Sequence, residues 1–307
     1  MTTSAVAILG STASGKSAVA LELAERLSSV DRRAELVSVD AMQVYRGMDI
    51  GTAKPSIEER RRVPHHLVDV VEPSVEFSVA EFVHLATETL DAVVARGALP
   101  IMVGGTGLYA RALVDRLEIP GSWPDIRRRL ESEVERLGAE VLHRRLRDAD
   151  PMAAARMEPG NARRIVRALE VVEGSGRPFS SFGPGLDVYP ETSIRQVALR
   201  WPREVLSRRI EQRVDLMLES GLVDEVRALL AGGLSRTAAQ ALGYKEIIAH
   251  LGGRCSISSA RDEIVLRTRQ FAVRQERWFR RDPRIRWFDV EVDPVREVTP
   301  RILDLLT

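Results

Sequence analysis

Eight residues, Gly10-Ser11-Thr12-Ala13-Ser14-Gly15-Lys16-Ser17, follow the spacing G-x-x-x-x-G-K-[ST]. Glycines at both ends let the backbone curl so that successive N–H groups point inward. Lys16 adds a mobile positive charge, and Ser17 offers a hydroxyl to Mg²⁺. The apolar run Ala5-Val6-Ala7-Ile8-Leu9 stands directly before this stretch and a helical pattern directly after it. That strand, loop and helix context places inward N–H groups at a helix N-terminus, where an anion is stabilised. A diphosphate or polyphosphate is the expected ligand.

Apolar runs further on predict more strands ending in residues that can do chemistry. In open parallel sheets ligands sit beyond the carboxyl ends of the strands. The second group is Asp40 with Ala41, Met42 and Gln43, and the third is Gly104-Gly105-Thr106. Asp40 is the ionisable side chain among them, suited to a general base or a Mg²⁺ contact, although a capping aspartate has the same look. On a helix from about 204 to 219, Leu206, Ile210, Val214 and Met217 form the apolar stripe. Arg209 and Arg213 fall one turn apart on a neighbouring face, where they repel mildly unless an anion lies between them. The five histidines (65, 66, 84, 143, 250) have no metal-ligand spacing and read as structural or surface residues.

The elements that must position these groups alternate. Strands are expected at 5–9, 36–39, 67–71 and 100–103, with helices at 17–27 and from the capping box Ser78-Val79-Ala80-Glu81 to about Arg96. Alternating strands and helices imply an α/β fold with a parallel sheet covered on both faces. From about 118 to 195 the sequence turns helical and charge-rich, with helices expected at 125–137, 140–148 and 161–173. Strand character resumes at 196–201, a helix-rich stretch follows, and a last strand is expected at 285–290. The organisation expected is therefore a core of residues 1–117 and 196–307 interrupted by a helical insertion, 118–195.

Composition sets broad bounds. The 307 residues are 44% hydrophobic and 29% charged, with a formal net charge of +1. A lone cysteine, Cys255, excludes an intramolecular disulfide and a cysteine-based metal cluster. No stretch reaches the length of a membrane span, and the first apolar run is short and lacks a basic leader, so a cytoplasmic protein is expected. Charge is unevenly spread: from Arg267 to Arg286 eight arginines face only Glu276 and Asp282, a local balance of +6. Such a segment suits an anionic polymer, or else a solvated helix face.

Several separated motifs together resemble the tRNA dimethylallyltransferase family, also called tRNA isopentenyltransferase, in its bacterial form. They are residues 10–17, the stretch 38–55 beginning Ser38-Val39-Asp40-Ala41-Met42-Gln43, Pro64-His65-His66-Leu67, and 103–109. Later, 163–170, 209–213, 241–246 and 267–270 agree in the same order. The resemblance implies a P-loop NTPase-like core with an inserted α-helical domain. It also implies transfer of a dimethylallyl group from dimethylallyl diphosphate to N6 of the adenosine 3′-adjacent to the anticodon. By that resemblance the catalytic residues are Asp40, Thr106 and Arg213, while Gly10, Ser11, Thr12, Ala13, Ser14, Gly15, Lys16 and Ser17 hold the diphosphate, with Mg²⁺ on Ser17. Contacts to the tRNA anticodon stem-loop fall to Asp40, Ala41, Met42, Gln43, Thr106, Arg127, Arg163, Arg164, Ile165, Val166 and Arg167. Gln240, Ala241, Leu242, Gly243, Tyr244 and Lys245 complete that set, and a monomer is expected. Departures from the family pattern are Ser11 for a frequent Pro, Ser17 for Thr and Ala41 for Ser; the last removes one hydrogen-bonding group. The 307 residues hold no match to the carboxyl-terminal zinc finger of eukaryotic relatives, so the bacterial type is expected. A small-molecule P-loop kinase and a prenyltransferase of free adenine nucleotides are the alternatives.

Overall fold

The structure, a computed structural model, describes residues 5–183, 185–186 and 188–306. Residues 1–4, 184, 187 and 307, which fall inside the expected domain ranges, lie outside the described residues. Six strands, β1 (Ala5–Gly10), β2 (Ala34–Val39), β3 (His65–His66), β4 (Leu99–Gly104), β5 (Ile194–Arg200) and β6 (Arg286–Asp289), form one sheet. Their order is β3-β2-β4-β1-β5-β6, and each neighbouring pair is parallel. This is an α/β sheet of the P-loop NTPase-like type.

Alternation along β1 shows why the sheet needs cover on both faces. Val6 and Ile8 point into one apolar cluster with Val19, Leu23 and Leu27 of α1 (Lys16–Ser28). Ala7 and Leu9 point into another, with Phe82 of a helix at Val79–Ala95. Because β1 is buried at all six positions, its run is continuously apolar, as a central parallel strand requires. Other helices of this unit are α2 (Ile57–Arg62), α3 (Val79–Ala95) and α4 (Gly107–Val114). The chain divides into two compact units, Met1–Val114 with Glu191–Thr307, and Asp115–Pro190.

The second unit contains α5 (Pro124–Leu137), α6 (Ala139–Ala149), α7 (Pro151–Ala155) and α8 (Ala162–Ser175). Leu130, Leu142, Leu146, Ile165 and Leu169 form its own core. The first unit resumes with α9 (Arg203–Glu219), α10 (Leu222–Gly232), α11 (Arg236–Ala239), α12 (Tyr244–Leu251), α13 (Ile257–Phe279) and α14 (Pro294–Leu303). Among the described residues no helix is long and apolar enough to cross a membrane.

One expected strand is corrected. Residues 67–71 do not form it; β3 stops at His66, because Leu67 and Asp69 adopt left-handed φ values of 60° and 58°. Non-glycine residues there cannot continue a strand. The capping box at Ser78 and Glu81 is present and opens α3.

Candidate functional site

The carboxyl ends of β1, β2 and β4 surround a cavity of about 850 Å³. Its first wall is the loop from Gly10 to Ser17. The chain leaves β1 at Gly10 (φ 144°), passes through Ala13 in the left-handed region (φ 61°) and enters α1 from Gly15 (φ 89°). Gly15 is required twice over, since a Cβ there would also stand 2.6 Å from Pro294 Cγ. Helix α1 has no side-chain N-cap and no acidic residue in its first turn. Its leading N–H groups are thus left for a ligand, with the helix dipole favouring an anion.

This loop is braced from three sides. Gln275 of α13 accepts the Thr12 N–H at 2.9 Å and donates to the Gly105 carbonyl at 2.8 Å, locking the loop to the end of β4. Trp201 donates from Nε1 to the Ser14 carbonyl at 2.9 Å. Arg209 donates to the Ala13 carbonyl at 2.9 Å while its guanidinium lies 4.4 Å from the Trp201 ring centroid.

Asp40 stands just past the end of β2 and lines the same cavity. Its Oδ1 accepts the Met42 N–H at 2.8 Å, an Asx turn that fixes the carboxylate's direction. Thr106, just past β4, accepts the Ala41 N–H at 3.2 Å, so the two strand exits are tied together. Those strands meet closely: a Cβ on Gly104 would stand 2.0 Å from the Val39 carbonyl oxygen, which only glycine avoids.

Positive charge inside the cavity exceeds negative. Lys16 and Arg213 both line it. Burial, and then the charge of Arg213, lower the Lys16 pKa from 10.5 to about 8, with Asp40 pulling the other way. Nζ is crowded by protein although the cavity leaves it some access to water; it donates to the Ser11 carbonyl at 3.2 Å. Burial likewise lowers Arg213, against the pull of Asp40. Two under-solvated cations facing one carboxylate form a site that an added anion relieves.

A family model described as IPP transferase matches residues 43–282. The chain belongs to the IPP transferase family. A curated relative, the tRNA dimethylallyltransferase of Streptomyces coelicolor, is 51% identical over 303 residues, covering 98% of this chain and 95% of the relative. Of solved structures, the tRNA isopentenylpyrophosphate transferase of Bacillus halodurans is 40% identical with a TM-score of 0.69, covering 98% of this chain and 96% of that one. A eukaryotic dimethylallyltransferase acting on tRNA is 25% identical with a TM-score of 0.79, covering 97% and 77%. This IPP transferase family member is accordingly a transferase enzyme, and none of these relatives is a small-molecule kinase.

Of the residues that the family resemblance marks for RNA, Ala41, Met42, Gln43, Thr106, Gln240, Ala241, Leu242 and Gly243 line the same cavity as Asp40. Others have structural work. Ile165 and Val166 are 0% and 5% exposed in the core of the second unit, so their side chains are packing residues. Tyr244 is fully buried, its hydroxyl donating to Glu225. Arg127 and Arg167 pair with Glu170, which is fully buried. Burial pushes the Glu170 carboxyl up, but the Trp123 N–H and both arginines outweigh it and hold it low. Arg163, Arg164 and Lys245 are exposed.

Sequence reasoning missed Gln275, a polar residue inside a helix otherwise notable for arginine; unlike it, His65 belongs to the Pro64-His65-His66-Leu67 motif and reads from sequence as structural or surface. His65 lines the cavity with Nδ1 2.8 Å from the Val63 carbonyl, and burial lowers its pKa. No spacing signal marks Gln275.

Proposed function

We propose that this cavity transfers a dimethylallyl group from dimethylallyl diphosphate to N6 of the adenosine 3′-adjacent to the anticodon of tRNA, releasing diphosphate. The observation that carries the reading is the surplus of partly buried cations, Lys16 and Arg213, lining one cavity with the Asp40 carboxylate. A carbon–oxygen bond breaks, and its electron pair leaves with the diphosphate. Loop N–H groups, Lys16 and Arg213 stabilise the growing charge from positions fixed before the reaction begins. A nitrogen–carbon bond forms as the adenine amine attacks. Asp40 orients that amine and takes its proton, and Thr106 holds the Asp40 turn in register through Ala41.

Mg²⁺ suits the site. Ser17 exposes its hydroxyl at the first turn of α1 and lines the cavity with Asp40. Among the described residues no group of three or more histidine, cysteine or acidic residues could hold a metal. A cation that keeps several waters and takes substrate phosphate oxygens needs few protein ligands, which is the habit of Mg²⁺. Held by Ser17, it would offset charge on the leaving diphosphate.

An adenosine stacked within an anticodon loop cannot reach this cavity, so it must be extruded into it. Arg163 and Arg164 on α8 supply exposed charge for the RNA backbone, with Arg127 and Arg167 as a held pair beside them in the same unit. A monomer acting in the cytoplasm, where tRNA is found, is part of the same proposal.

The test is incubation of the purified chain with Mg²⁺, dimethylallyl diphosphate and an unmodified anticodon stem-loop, followed by nucleoside mass spectrometry. One prenyl group on the adenosine next to the anticodon is expected. Prenylation confined to free adenine nucleotides, or phosphoryl transfer in its place, would overturn the reading.

A further inference from the structure

The segment from Asp40 to Lys54 forms the substrate-facing wall, yet it is built of turns rather than a strand or helix. Something outside it must hold it in place. We infer that Glu225 of α10 is the positioning residue that sets this wall for the adenosine, an inference that rests on the function proposed above.

Glu225 Oε2 accepts the N–H groups of Asp49 at 3.0 Å and Ile50 at 2.7 Å. Oε1 accepts the N–H of Gly51 at 3.2 Å and the Tyr244 hydroxyl at 2.6 Å. A carboxylate offers about four acceptor sites, and four donors fill them. Three successive backbone N–H groups converging on one anion form a nest, here closed by a side chain rather than a ligand. Gly51 is pressed against the tyrosine: a Cβ there would stand 2.4 Å from Tyr244 Cε2.

From this grip a line of contacts runs to the chemistry. Thr52 and Ala53 follow the nest directly, and their carbonyls accept Gln43 Nε2 at 3.2 and 3.3 Å. Gln43 Oε1 in turn accepts the Ser38 hydroxyl at 2.8 Å, bracketing Asp40 between Ser38 and Gln43. On the other side Tyr244 begins α12, and Gln240 to Gly243 immediately before it line the cavity. One carboxylate therefore couples two cavity walls. Lys54, whose side chain is 1% exposed, anchors the far end by donating to the Tyr45 carbonyl, Asp49 and Asp69, at 2.7, 2.6 and 2.6 Å.

Glu225 touches no reacting atom, so its effect must appear in how the RNA is held rather than in the diphosphate end. Glu225→Gln keeps the size but offers an amide N–H where the wild type offers acceptor sites, leaving backbone donors facing a donor. In the full chain this variant is expected to raise KM for the anticodon stem-loop and lower kcat together. The combined loss in kcat/KM is of order 10- to 10²-fold, the scale of a misplacement of about 1 Å. Affinity for inorganic diphosphate should stay within about twofold. Hydrogen exchange of the Asp49, Ile50 and Gly51 amides should accelerate.

Tyr244→Phe removes one of the four donors and keeps the ring on Gly51. It should show the same pattern at severalfold magnitude, and it decides the question where Glu225→Gln fails to fold. Faster exchange with unchanged stem-loop kinetics would make Glu225 merely structural and overturn the inference. A loss confined to diphosphate affinity would overturn it equally. A wild-type chain without tRNA prenylation would instead sink the functional reading, and that is seen before either variant is made.

Discussion

Lys16→Met separates what the cavity needs for chemistry from what the fold would prefer. Burial and Arg213 together lower the Lys16 pKa from 10.5 to about 8, so the unliganded fold disfavours the charged form. At 1.36 kcal/mol for each factor of ten, that difference corresponds to about 3 kcal/mol. A neutral isostere escapes this penalty but loses the hydrogen bond to the Ser11 carbonyl, worth about 1 kcal/mol. The variant is expected to be about 2 kcal/mol more stable than the wild type at pH 7. Between about pH 8 and 10.5 the unfolded wild type binds more protons than the folded one, so wild-type stability rises with pH through that window. The variant's advantage is therefore full below pH 8 and fades as the pH approaches 10.5. Urea unfolding of both proteins at pH 7 and pH 10 measures this, and comparing them cancels the titrating groups that are not coupled to Lys16. Calorimetry with dimethylallyl diphosphate should show binding about 10- to 150-fold weaker in the variant, the equivalent of one charge-assisted hydrogen bond. A variant less stable than the wild type at pH 7, with a difference that does not change by pH 10, would refute the claim that the fold strains to keep this ammonium.

Asp40→Asn should lower prenyl transfer by about 10²-fold or more while stem-loop affinity remains, read by single-turnover kinetics; near-normal turnover would remove Asp40 as the base. Arg213→Ala should weaken diphosphate binding and slow transfer, leaving tRNA affinity largely intact in a filter-binding titration. Replacing the exposed Arg163 and Arg164 with serine should flatten the salt dependence of tRNA binding by a slope of about 1.4, with the melting temperature unchanged. Arg167→Ala should instead lower the melting temperature, because it withdraws a partner from buried Glu170 and the donor of a 2.8 Å bond to the Pro120 carbonyl.

Much of the candidate site was legible because chemistry and strand ends coincide in a parallel sheet. The loop at 10–17 carries its own spacing, and Asp40 and Thr106 follow apolar runs that could only be central strands. Arg209 and Arg213 were readable from one helical stripe, Ile210 and Val214 being its buried members. What could not be read is which polar residues are already engaged. The stretch 163–167 has one pattern in sequence, yet Ile165 and Val166 pack inward, Arg167 pairs with a buried carboxylate, and Arg163 and Arg164 face solvent. Glu170 stands at the helical i+3 spacing from Arg167, but that spacing does not report its burial, and Pro120 lies on another segment. Glu225 and Gln275 escaped for the same reason: each acts across more than 160 residues of chain, on backbone groups that have no sequence signature. The lost strand at 67–71 was a local failure, since apolar residues there serve positive-φ turns instead of a ladder.

Under the proposed function, the two units answer different physical demands. Leaving-group stabilisation works best where charges are under-solvated and held by surroundings that need not reorganise, which the braced loop, Gln275 and the Glu225 nest provide within one α/β unit. Recognition of an RNA backbone works through exposed, hydrated cations whose counterions can be released, which a deep cavity cannot offer. The helical unit has its own apolar core and fixes two of its arginines on Glu170, so it can carry exposed charge without drawing on the core that holds the proposed diphosphate site. A perturbation of salt should then act on RNA capture through the exposed Arg163 and Arg164 of the helical unit, and a perturbation of pH near 8 on the diphosphate end through Lys16 of the α/β unit.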